Sequence, residues 1–136
     1  MSKQIDFSRY AEFVDAVTSD ESRDFVALSD RLVALDEQGI NIERLLTGAV
    51  GLSAEAGEFM EIVKKIKFQG KPWNEDNKEH LTKELGDIMW YAAQAAMALE
   101  IRLDDVIYIN TLKLAKRYTG GAFNVSDSEN RAPGDI

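Results

Sequence analysis

Cysteine is absent from the 136 residues, so neither a disulfide framework nor a zinc–thiolate site is available. Proline occurs twice, as Pro72 and Pro133, and both fall in segments read as loops, which leaves the helices uninterrupted. Histidine occurs once, as His80, and a di-iron centre built from two Glu-x-x-His pairs is thereby disfavoured. No apolar run reaches the roughly 18 residues of a membrane span. The longest apolar-rich stretch, Ile88 to Leu99, reads as an enclosed helix. The start carries no signal-peptide pattern, so the expected location is the cytoplasm. Positive charge is short: 16 Lys and Arg stand against 24 Asp and Glu, a net charge of −8. That balance argues against a duplex nucleic-acid binder. It leaves room for nucleotides where divalent cations mediate.

The remaining composition, 45% hydrophobic and 29% charged, is that of an ordinary globular chain. Amphipathic helical periods dominate and no alternating strand pattern occurs, so the expected class is all-α. One domain is expected over 1–123, followed by a flexible polar tail over 124–136. The periodicity predicts helices from Phe7 to Val17, Ser22 to Gln38, Asn41 to Phe68, Glu75 to Leu99 and Leu103 to Arg117. Asp6 or Ser8, Asn41 and Asn74 are the candidate N-caps, and Gly39 the candidate C′ residue. Gly48, Gly51 and Gly57 in the third helix each cost up to about 1 kcal/mol against alanine, which suggests close packing or a kink.

Two acidic pairs organise the chain. Glu55 and Glu58 lie three apart on the third helix, and Glu84 and Asp87 lie three apart on the fourth. Residues at that spacing share a helix face. The connection through Gly70 and Pro72 is short, which makes the two helices antiparallel neighbours. Glu58 lies ten residues before Phe68 and Glu84 nine after Glu75; Glu55 lies thirteen before and Asp87 twelve after. At about 1.5 Å per residue the pairs match in height to within roughly 2 Å. Glu55 also fills the gap in an apolar seam of Leu52, Phe59, Ile62 and Ile66, so it points at the neighbouring helix. An unpaired acid there would be expensive to bury. The competing explanation is two solvated helix faces; the seam and the matched heights favour a cation. Oxygen donors of this kind suit Mg²⁺, Mn²⁺ or Ca²⁺.

Other residues carry weaker signals. Asn110, Lys113 and Arg117 share one face of the last helix and can bind phosphate oxygens or satisfy the helix C-terminus. Trp73, in the turn, can stack on a base or lid the core. Glu61 follows Glu58 by one turn; it can extend the acidic site, orient water, or pair with Lys64 or Lys65. His80 reads as a surface residue or a support for Glu84.

The elements Glu55-Ala-Gly-Glu58, Glu84-Leu-Gly-Asp87 with Trp90 and Tyr91, and Asn110-Thr-Leu-Lys113-Leu-Ala-Lys116-Arg117-Tyr118 resemble, in that order, the MazG family of all-α nucleoside triphosphate pyrophosphohydrolases. The likeness covers about Leu45 to Phe123, and the Phe68-Gln69-Gly70-Lys71 turn is similar to single-domain members, including those carried by phages. Two positions depart from the family pattern: Thr119 stands where proline is usual, and Arg102 where a small cap residue is expected. The resemblance implies hydrolysis of a nucleoside triphosphate to the monophosphate and pyrophosphate, in nucleotide-pool control. It implies Mg²⁺, with Mn²⁺ as a substitute, held by Glu55, Glu58, Glu84 and Asp87. Glu61 and Glu58 would serve catalysis, and Asn110, Lys113 and Arg117 the phosphates. It also implies a homo-oligomer, dimer or tetramer, in which the helical hairpin completes a four-helix-bundle-like core. A narrow-specificity relative, such as an all-α dUTPase or a phosphoribosyl-ATP pyrophosphohydrolase, and a non-catalytic cation-binding helical module remain the alternatives.

Overall fold

The computed structural model describes residues 5–131, 133 and 134, and the regular structure among them is entirely helical. The chain divides into two compact units, Met1–Ile42 and Glu43–Ile136.

The first unit holds α1 (Phe7–Ala16), a short 3-10 turn (Asp20–Ser22) and α2 (Phe25–Glu37). Asp6 starts α1: its carboxylate accepts from the amides of Ser8 and Arg9 at 3.1 and 3.2 Å. Arg23 then ties the break together, reaching Asp15 at 3.2 Å and Asp20 at 2.8 Å. The second helix begins at Phe25, not at Ser22. The Asp24 carboxylate accepts from the Ala27 amide at 2.8 Å, and the residues before it close the 3-10 turn instead. Gly39, at φ 77°, ends α2 in the left-handed region. Neither α1 nor α2 has a buried residue.

The second unit carries a long hairpin, α3 (Ile42–Phe68) and α4 (Glu75–Ala98), then α5 (Leu103–Arg117) and α6 (Val125–Glu129). Gly70, at φ 71°, ends α3, and Asn74 caps α4 by accepting from the Asn77 amide at 3.0 Å. The side chain of Asn77 is buried and donates to the Pro72 carbonyl at 2.6 Å, which pins the connection. Two glycines let the helices approach. A Cβ on Gly48 would stand 2.9 Å from the Ala95 Cβ, and one on Gly51 2.1 Å from the Tyr91 ring. Gly57 has open space where its Cβ would be, so close packing explains two of the three glycines.

The predicted seam holds. Ile62 is buried, and Leu52, Phe59 and Ile66 are half-buried, with Glu55 half-buried among them. Among the described residues Ile62 and Ala96 are the only buried large or small hydrophobes. The outer face of α4 is not covered: Trp90 is 55% and Met97 56% exposed. α5 packs on α4 after a turn in which Glu100 takes φ 56° and the Ile101 amide donates to the Ala96 carbonyl at 3.0 Å. Arg102, at the start of α5, donates from Nε to Asp104 at 2.9 Å, so a salt bridge stands where a small cap was expected. Within the segment expected to be a tail, Asn124 caps α6 by accepting from the Ser126 and Asp127 amides; residues 132, 135 and 136 lie outside the described residues. No helix among the described residues is long and apolar enough to cross a membrane.

Candidate metal centre

The antiparallel hairpin brings the acids of α3 and α4 to one level. Gly48 faces Ala95, Gly51 faces Tyr91, and each further turn along α3 is answered by one turn back along α4. Glu58 and Glu84 follow in the same register. Carboxylate oxygens of Glu55, Glu58 and Glu84 all lie within 4.8 Å of one another. Glu84 is buried, Glu55 half-buried and Glu58 exposed, so the group opens toward solvent on the α3 side. Asp87 is exposed and stands outside that 4.8 Å group, although its charge is felt at Glu55.

The electrostatics are those of crowded like charges. Burial, and after it the charges of Glu58, Asp87 and Glu84 with a hydrogen bond shared with Glu84, raise the Glu55 carboxyl above its ordinary value. Without a cation, one proton is the cheapest relief of that repulsion. A divalent ion offers a stronger one, and three carboxylates at this spacing are a hard oxygen donor set that fits Mg²⁺ or Mn²⁺.

Two neighbours frame the cluster. His80, one turn before Glu84 on α4, donates from Nε2 to Glu84 Oε1 at 3.0 Å. Glu61, one turn after Glu58, accepts from Lys65 Nζ at 2.8 Å; that ammonium, with Lys64, holds the Glu61 carboxyl below its ordinary value. Glu58, Glu61, Lys65, His80 and Glu84 together line a cavity of about 250 Å³. Sequence spacing alone put His80 near Glu84; its hydrogen bond makes it a positioning group for the buried carboxylate.

The remaining candidates separate. Lys113 and Arg117 line a second cavity beside α5, whereas Asn110 is exposed and does not line it. Lys116 and Arg131 line it as well. In the sequence Lys116 is marked only by its place at the end of the last helix. No local signal marks Arg131, which sits in a polar segment without periodicity. Trp73 is 64% exposed, and Lys78 Nζ sits 5.6 Å from its ring centroid.

Comparison with known proteins covers the same part of the chain. A family model described as the MazG nucleotide pyrophosphohydrolase domain matches residues 43–120, which contain the whole acidic cluster and all of α5. The chain is also similar to the Gene 37 protein of Mycobacterium phage L5, 39% identical over 87 residues that make up 63% of this chain and 76% of that relative. No solved structure matches the chain. With the match running from the first turn of α3 past the end of α5, over more than half of its length, this chain belongs to the MazG nucleotide pyrophosphohydrolase family.

Proposed function

We propose that the protein hydrolyses nucleoside or deoxynucleoside triphosphates to the monophosphate and pyrophosphate, with Mg²⁺ as cofactor and Mn²⁺ as a substitute, in control of the nucleotide pool. The single observation behind this reading is the convergence of Glu55, Glu58 and Glu84 within 4.8 Å in a chain of this family. Glu55, Glu58 and Glu84 are the residues that would hold the ion, with Asp87 beside them. A divalent cation at such a site supplies charge neutralisation for phosphate oxygens and Lewis-acid activation of water.

This chain's own residues have distinct tasks. Glu84 is buried and kept in place by His80, so it anchors the site. Glu58 is exposed and faces the substrate side. Glu61, kept ionised by Lys65, accepts a hydrogen bond from the attacking water and orients it toward the α-phosphorus. Lys113 and Arg117 neutralise the departing pyrophosphate, with Asn110 at the rim of that face. Water adds at phosphorus, the bond to the bridging oxygen breaks, and the proton released passes to solvent or to the pyrophosphate. Trp73, exposed beside the hairpin turn, is available to stack on the base.

The working form in this reading is a homo-oligomer in the cytoplasm. Leu85, Met89, Trp90 and Met97 all stand at least 44% exposed on α4, a face a second copy would cover to complete a four-helix core.

The test is purified protein incubated with each common triphosphate and Mg²⁺, with the products identified. Pyrophosphate and the monophosphate are expected, and Glu58→Gln should abolish both while the helical signal is kept. Orthophosphate as the product, or no product from any triphosphate, would overturn the reading. Sedimentation of wild type against Trp90→Glu tests the assembly.

A further inference from the structure

α5 and the chain beyond it enclose a cavity of about 550 Å³. Lys113, Lys116 and Arg117 enter it from the last turns of α5, and Arg131 enters from beyond α6; Asp127 is the one acid. Three net positive charges thus collect in one cavity of a chain whose net charge is −8. Ile109, Leu112 and Pro133 supply apolar wall. The volume lies in the range of about 300–1000 Å³ typical of small-molecule sites. A single phosphate would leave most of it empty, whereas a phosphate chain carrying a larger group would fill it. Arginine's planar fork suits the paired oxygens of a phosphate.

We propose that Arg131, brought into this cavity by the segment after α5, joins Lys113 and Arg117 in binding the polyphosphate chain of a nucleotide. The word nucleotide rests on the pyrophosphohydrolase reading above; the multiply charged anion rests on the cavity. Arg131 lies fourteen residues beyond Arg117 and reaches the same space because the chain reverses at Gly121, at φ 73°, and runs through the capped turn of α6. Lys113 and Arg117 engage partners within the chain, so the arriving anion shares or takes over those cations. The segment is therefore a substrate-binding element and not an appendage.

Pyrophosphate in EDTA separates this cavity from the acidic centre. With divalent ions chelated, Glu55, Glu58 and Glu84 repel polyphosphate, and the binding that depends on Arg131 reports the cationic cavity. Calorimetric titration of the full-length protein should show pyrophosphate binding that weakens roughly tenfold in Arg131→Ala, the loss of one charge-assisted contact. Arg131→Lys should fall between, and Arg131→Glu should bind least, with circular dichroism unchanged throughout. With Mg²⁺ and triphosphate, Arg131→Ala should raise KM by a similar factor. Equal affinities for wild type and Arg131→Ala, or no pyrophosphate binding by wild type, would overturn the proposal even if triphosphates are turned over. Absence of turnover with binding that still depends on Arg131 supports the anion cavity and overturns its nucleotide assignment.

Discussion

Gly51 lies flat against Tyr91, so close that a Cβ on the glycine would stand 2.1 Å from the ring. That contact sets the spacing of α3 and α4 one turn from the acidic cluster, and the Tyr91 ring is itself held edge-on to Trp90 at 4.8 Å. Gly51→Ala is expected to push the helices apart and lower stability by about 1–3 kcal/mol, the usual cost of overpacking. Denaturant unfolding measures it. The same variant should show a smaller rise in Tm with Mg²⁺ than wild type, because the carboxylates of the two helices no longer converge.

Metal should stabilise the folded chain. An ion that binds only the folded state at a hundredfold excess over its Kd contributes about 2.7 kcal/mol. Thermal unfolding with and without Mg²⁺ should show a clear rise in Tm for wild type and none for Glu84→Gln. An equal rise in both would place the ion elsewhere.

The metal-free protein should carry a pH signature of Glu55. Its carboxyl is raised in the folded state, so above the ordinary glutamate value of 4.5 the folded state holds the proton more tightly than the unfolded state. The unfolded state then binds fewer protons, and stability falls as pH rises through that window. In EDTA, wild type should therefore lose stability relative to Glu55→Gln as pH is raised from 4.5 through the raised pKa, and the difference should level off beyond it. Saturating Mg²⁺ should reverse the order at neutral pH, since the glutamine removes a charged ligand and not only a repulsion.

His80 holds the buried Glu84 at 3.0 Å. Outer partners of metal ligands are worth roughly 10–100-fold in metal affinity. His80→Ala should weaken Mg²⁺ binding by an amount in that range while leaving the helical content unchanged. His80→Gln, which can still donate to the carboxylate, should recover part of the loss. Titration followed by Tm or by calorimetry reads both.

Glu100 takes φ 56° at the turn between α4 and α5, a conformation that glycine adopts without strain. Glu100→Gly should stabilise the chain by about 0.5–1 kcal/mol. No change, or a loss, in denaturant unfolding would mean the glutamate side chain is needed there.

Most of the helical layout was readable in advance because it depends on neighbours in the chain. Asp6 and Asn74 start helices and Gly39 ends one through bonds and dihedrals within four residues of themselves. The start of α2 at Phe25 escapes the apolar period for the same kind of reason in reverse: a 3-10 turn and the Asp24 cap compete with it, and periodicity does not weigh them. The meeting of Glu55, Glu58 and Glu84 could also be foreseen, because a rigid rise per residue and a short connection leave one register for a hairpin.

Side-chain contacts between one segment and another had to come from the folded chain. That Glu84 is the buried acid while Asp87 stays in solvent, that Gly51 serves packing and Gly57 does not, and that Arg131 shares a cavity with Arg117 all depend on how side chains pack across space. Pattern along a chain encodes which face of a helix is apolar. It does not encode which atoms of another segment come to lie on that face, because many arrangements bury the same area and close contact selects among them.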